Sequence, residues 1–112
     1  MLASCIFCRL IADPGFKALY RGEDVIAFAD LNPQAPVHFL VVPRQHVATI
    51  SELDDDYLLG RLFAAAHHVA REQGVGEGGY RLVVNQGPNA GQTIYHVHVH
   101  VLGGRQLTWP PG

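Results

Sequence analysis

The sequence predicts an α+β domain, an antiparallel sheet of about five strands carrying one long helix. Three observations predict it. Short apolar runs recur between glycine- and proline-rich turns, and the clearest, His96-Val97-His98-Val99-His100-Val101-Leu102, alternates with the period of two of a strand. One stretch alone, Asp54 to Gln73, switches to three- and four-residue spacing. The strand signals also follow one another in mostly sequential order, with that single long helix among them.

Residues 5–12 read as a short helix, ended by the turn signal Asp13-Pro14-Gly15. Ala18 to Arg21 and Val25 to Asp30 read as strands around a Gly22-Glu23-Asp24 hairpin turn. Asn32-Pro33-Gln34-Ala35-Pro36 forces an extended loop, because proline restricts itself and the residue before it. His38 to Val42 is a buried strand stopped by Pro43. In the long helix, Leu58, Leu59, Leu62, Phe63, Ala66, Val69 and Ala70 form one apolar stripe. Asp54, Asp55 and Asp56 suit its positive N-terminus, and Gly74 is placed to end it. Tyr80 to Asn85 is a further strand, Gln86 to Gln92 a glycine-rich loop, and the histidine strand closes the sheet. One helix covers only one sheet face, so an edge or face is left to bury elsewhere, which points to a dimer.

The 112 residues suit one domain spanning the chain. A chain of this length buries only about 65% of its unfolded surface, so association would help it. Eight basic against ten acidic residues, with Lys17 the one lysine, leave no basic footprint for nucleic acid. No apolar run reaches the ~18 residues of a membrane helix, and the first residues show no secretory signal. Cys5-x-x-Cys8 is a spacing used for metals and redox chemistry more than for structural disulfides. A cytoplasmic location is the expectation.

The histidine strand carries the chemistry. Imidazole attacks, accepts protons or binds metals near neutrality. Three arrangements are open. The imidazoles are solvent-facing partners of a buried valine face. Or they form a metal cage, neighbours on one strand face lying ~7 Å apart. Or His98 is a nucleophile, held in one tautomer by a backbone carbonyl, with His100 donating to a phosphoryl oxygen or leaving group and His38 completing a relay. Upstream, Asn85-Gln86-Gly87-Pro88-Asn89-Ala90-Gly91-Gln92-Thr93 offers backbone N–H groups and the side-chain donors Asn85, Gln92 and Thr93 to an oxyanion.

HVHVHVL matches the histidine-triad pattern, and CIFC at 5–8, FADLNPQAPVHFLVVPRQH at 28–46, YRLVVNQG at 80–87, GQTIYHVHVHVLGGRQ at 91–106 and the terminal WPPG match in the same order. The chain thus resembles the HINT branch of the histidine triad (HIT) superfamily. The resemblance implies a HIT-like fold, a homodimer with a continuous sheet, and hydrolysis of purine nucleoside 5′-phosphoramidates and related mixed anhydrides to the nucleoside monophosphate. It makes His98 the nucleophile that is transiently nucleotidylated, His100 its phosphate-side neighbour and His38 the support. Asp30 then accepts from the ribose hydroxyls, Phe7, Phe28, Leu31 and Leu40 wall the base pocket, and Asn85, Gly91, Gln92 and Thr93 contact phosphate. Thr93 departs from a common serine, keeping the hydroxyl and adding a methyl group.

A redox role for Cys5 and Cys8 lacks the βαβ surroundings of a thioredoxin-like site. The alternative is structural zinc completed by His46 and His96, a closed set that matches many histidine-triad proteins. No catalytic cofactor is expected. His67 and His68, ~100° apart on the helix, read as solvated or half-buried helix residues. The tail at 103–112 is expected to reach the partner subunit, where Trp109 shapes the leaving-group pocket. Two rival functions remain: a nucleotide-binding interaction module with vestigial turnover, and a zinc hydrolase using the strand histidines as ligands.

Overall fold

The structure, a computed structural model, describes residues 2–112. Helix α1 spans Ile6–Ala12, capped by the Cys5 sulfur, which accepts from the Cys8 N–H at 3.4 Å. Strands β1 (Tyr20–Arg21) and β2 (Val25–Ala29) form the expected hairpin, and β3 covers Val37–Pro43. Helix α2 runs Asp56–Glu72, with Asp55 accepting from the Leu58 N–H as N-cap. Gly74 ends it at φ +82°, while the Val75 N–H reaches back to the Ala70 carbonyl. Strands β4 (Tyr80–Val83) and β5 (Val99–Gly103) complete one antiparallel sheet in the order β1-β2-β3-β5-β4. Two 3₁₀ turns, Ile50–Glu52 and Pro88–Ala90, were not foreseen from sequence.

The strands are shorter than the sequence suggests. β4 stops at Val83, opposite His100, and β5 begins only at Val99. Pro43 explains the late start of β5. The β3–β5 register pairs Val41 with Val99, which would set Pro43, without an N–H, opposite Val97. The Val97 N–H goes instead to the Val47 carbonyl, and the Pro43 carbonyl faces the His96 ring. Side-chain alternation nevertheless persists through the unpaired residues. Val97, Val99 and Val101 are buried on the α2 side, and the three histidines face the other way.

Two apolar clusters result. Under α2, Leu58, Leu62, Ala66 and Val69 pack on Val25, Ala27, Phe39 and Val41. On the opposite face, Phe7 of α1 joins Ile26, Phe28, Leu40 and Val42. The second face is therefore partly covered within the chain, by α1, where the sequence left it to a partner. No helix among the described residues is long and apolar enough to cross a membrane.

Candidate active site and metal cluster

β3 and β5 lie side by side at the sheet centre and bring His38 and His100 together. His98, just before β5, has its Nδ1 at 2.7 Å from the carbonyl oxygen of His96. A carbonyl only accepts, so Nδ1 carries the ring proton and Nε2 presents a lone pair.

A second line of hydrogen bonds fixes the other two rings. The Gln34 N–H donates to His38 Nδ1 at 3.0 Å, leaving the His38 proton on Nε2. That Nε2 lies 3.0 Å from His100 Nδ1, so His100 accepts there and keeps its own proton on Nε2. Asp30, at the end of β2, sets Oδ2 at 3.4 Å from His38 Nε2 and anchors Oδ1 on the Asn32 N–H at 2.8 Å. Burial, with His98 and His38 alongside, pushes His100 down to about 4, against the opposing pull of Asp30. Burial also lowers His38, again opposed by Asp30. Both rings are therefore neutral near pH 7. Asp30, His38 and His100 are close enough to hold a metal. The Gln34 N–H on Nδ1 makes His38 Nε2 a donor, however, so the trio is arranged as a proton line.

Asp30, His98 and His100 open on a cavity of about 430 Å³, with His38 buried behind them. Phe7, Phe28, Leu31 and Leu40 line one part of it, Asp30, His98 and His100 another. Asn85, Gly91, Gln92 and Thr93 line the rest of the expected set. Phe7 stands edge-on to Phe28 at 5.5 Å and to His98 at 5.3 Å. Leu31 is 97% exposed at the rim, and Trp109, 79% exposed, lies outside the cavity of its own chain. One expectation needs correcting. Gln92 is buried with its amide already spent: Oε1 accepts from the Gly87 N–H, and Nε2 donates to the Ala48 and Ile94 carbonyls. It shapes the loop and has no side-chain N–H left for a phosphate. The sequence reading also missed Ile6, Leu10, Phe16, Ala29 and Ile94 in the lining. The first two, four residues apart on α1, were legible as one helix face.

A second cluster adjoins the first. Cys5, Cys8, His46 and His96 bring one donor atom each within 4.8 Å of one another. Cys5 Sγ lies 3.4 Å from His96 Nδ1, and Cys8 Sγ lies 3.3 Å from His46 Nδ1. The two Nδ1 atoms are 3.2 Å apart. Tetrahedral zinc, with bonds of about 2.3 Å to sulfur and about 2.05 Å to nitrogen, implies S···N edges of about 3.6 Å and N···N edges of about 3.4 Å. The donors fit. His96 Nε2 donates to the Pro43 carbonyl at 2.8 Å, leaving Nδ1 bare for a metal. His67 and His68 take no part in either cluster: His67 bridges Arg71 and Tyr80, and His68 approaches Glu72.

Residues 16–107 match the HIT domain family. The chain belongs to that family. Its fold is HIT-like, and the comparisons agree over nearly the full length. A HIT family hydrolase from Legionella pneumophila superposes with a TM-score of 0.90 at 43% identity, over 96% of this chain and 99% of that one. A histidine triad nucleotide-binding protein from Candida albicans gives 0.80 at 28% identity, over 96% and 83%. The 14 kDa zinc-binding protein of Zea mays is 45% identical over 98 residues, 84% of this HIT chain and 76% of the relative.

Proposed function

We propose that this HIT protein hydrolyses purine nucleoside 5′-phosphoramidates and related nucleotidyl mixed anhydrides through a nucleotidyl-histidine intermediate on His98. The observation that carries the reading is the His98 Nδ1–H bond to the His96 carbonyl, which frees Nε2 as a nucleophile beside the cavity. Proximity to HIT hydrolases and to a nucleotide-binding member supports the substrate class.

The base sits among Phe7, Phe28, Leu31 and Leu40, and Asp30 accepts from the ribose hydroxyls. His98 Nε2 attacks phosphorus and the P–N bond breaks. Positive charge growing on the His98 ring strengthens its Nδ1–H bond to the carbonyl. The His100 Nε2–H, whose Nδ1 accepts from the His38 Nε2–H, donates a hydrogen bond to the leaving nitrogen, which departs as the amine with a proton taken from solvent. Water then attacks phosphorus and gives its proton to solvent, and the nucleoside monophosphate leaves as His98 regains its lone pair. Asn85, Gly91 and Thr93 border the phosphate, and the Thr93 methyl narrows the leaving-group side. Zinc on Cys5, Cys8, His46 and His96 would supply structural bonding alone, since protein fills all four positions. Location in the cytoplasm and a tail that brings Trp109 to a partner's pocket complete the proposal.

The test is mass spectrometry of protein mixed with adenosine 5′-phosphoramidate and quenched in base on the millisecond scale. An acid-labile adenylyl adduct on His98, absent from His98→Ala, is expected. Turnover by His98→Ala at the wild-type rate overturns the mechanism. Tight AMP binding by wild type without any turnover identifies the interaction module instead.

A further inference from the structure

Gly103-Gly104-Arg105, the step that follows β5, takes no part in the chemistry above, and Arg105 does not line the cavity. Its contacts nevertheless lead back to the site. Arg105 donates a guanidinium N–H to the Gln34 carbonyl oxygen at 2.9 Å. Beside it, Gly104 at φ +91° runs so close to the same loop that a Cβ there would meet Pro36 Cβ at 3.0 Å. Only glycine satisfies both conditions. Two consecutive residues thus grip one loop, one by a hydrogen bond and one by close approach.

Gln34 is the residue whose N–H occupies His38 Nδ1. Free imidazole exchanges its proton between the two nitrogens, and the Gln34 N–H on Nδ1 joins the Asp30 carboxylate, 3.4 Å from Nε2, in fixing the ring direction. With the donor withdrawn, His38 can carry its proton on Nδ1 and turn a lone pair toward His100. His100 Nδ1 must then be the protonated atom, and its Nε2 changes from donor to acceptor. A lone pair would face the anionic phosphoryl group where an N–H is required.

We propose that Arg105 is a positioning residue: by holding the Gln34 carbonyl it keeps the Gln34 N–H on His38 Nδ1 and so sets the direction of the His38–His100 proton line. The inference rests on the reading of those histidines given above, but its primary test does not use turnover. In uniformly ¹⁵N-labelled full-length protein, two-bond ¹H–¹⁵N correlations report which ring nitrogen carries each proton. Wild type is expected to show His38 protonated on Nε2 alone, Arg105→Ala an average of both tautomers, and Arg105→Lys, which retains a donor, the wild-type pattern. Turnover should follow, kcat falling about two- to ten-fold in Arg105→Ala with KM little changed, the range expected for one exposed hydrogen bond. An unaltered His38 pattern in Arg105→Ala overturns the proposal whatever the activity. A change of equal size in Arg105→Lys does so too. If wild type shows no turnover but the tautomer shifts as stated, the proposed reaction fails and the positioning role stands.

Discussion

The three strand histidines share a period but not a job, and the hydrogen-bond partner of each ring separates them. His96 gives Nε2–H to Pro43 and turns Nδ1 to the cysteines; His98 gives Nδ1–H to a carbonyl; His100 accepts at Nδ1 from His38. The identities of these residues were legible in HVHVHVL. The tautomer of His98, set by a carbonyl two residues away, was open to anticipation, but those of His96 and His100 depend on the backbone of Pro43 and Gln34, more than 50 residues away in the chain. The held-down His100 makes a pH prediction. Its ordinary value is 6.5, and the fold lowers it to about 4 by burial and by the adjoining His98 and His38. Between those values the unfolded chain binds a proton that the folded chain refuses, so stability falls as pH drops. The contribution is complete above about 6.5 and is lost on passing down through about 4. At about 1.4 kcal/mol per pH unit, wild type should lose roughly 2.5 kcal/mol more than His100→Gln between about pH 7 and about pH 4.5. Urea unfolding at the two pH values measures it, and equal losses in both proteins would refute the assignment.

Among the elements, α1 is the one least able to stand alone. Its seven residues are too few for an isolated helix, and it is tied down by Cys5 and Cys8, gathered with His46 and His96, and by Phe7 on the sheet. Phe7 touches the rings of Phe28, His96 and His98, so whatever fixes α1 also fixes one wall of the cavity. Removing zinc with a chelator should therefore lower Tm and raise the KM for adenosine phosphoramidate about three- to ten-fold, the worth of one or two aromatic contacts, while kcat changes less. Added zinc should restore both. Chelated protein with unchanged Tm and KM would show that the cluster holds no metal that matters to the fold. The CIFC spacing announced α1 and the two cysteines that join His46 and His96 in the four-donor cluster. The shortening of β5 was less accessible, since the alternation of His96 to Leu102 continues past the point where Pro43 ends the hydrogen-bond ladder.

For the whole molecule, the two α-helices and five strands were legible from periodicity and turn signals, but strand order was not. β5 enters between β3 and β4, displacing the sequential arrangement. The reason is burial: β3 and β5 must be covered on both faces, so they occupy the centre, while β4, half-exposed, stays at the rim. That rim bears on assembly. β4 is an open edge, and Leu82 on it is 36% exposed toward the α2 side, opposite the core residue Val101. On α2, Leu59, Phe63 and His67 fall at four-residue spacing, Phe63 is 41% exposed, and His67 bonds to Tyr80 of β4. Helix stripe and strand edge therefore form one apolar margin. A two-fold partner placing β4 against its own copy would pair the free edge and cover Leu82 and Phe63 together, continuing the sheet across both chains. Arg81 of β4, on the other sheet face, holds the Thr108 carbonyl and so ties the residue before Trp109 to this edge strand. Sedimentation velocity at micromolar concentration is expected to give twice the chain mass for wild type. Phe63→Asp should give the single chain mass with reduced turnover, as the partner's Trp109 is withdrawn from the pocket. A wild-type protein that sediments as a monomer while fully active would confine the site to one chain and remove Trp109 from it.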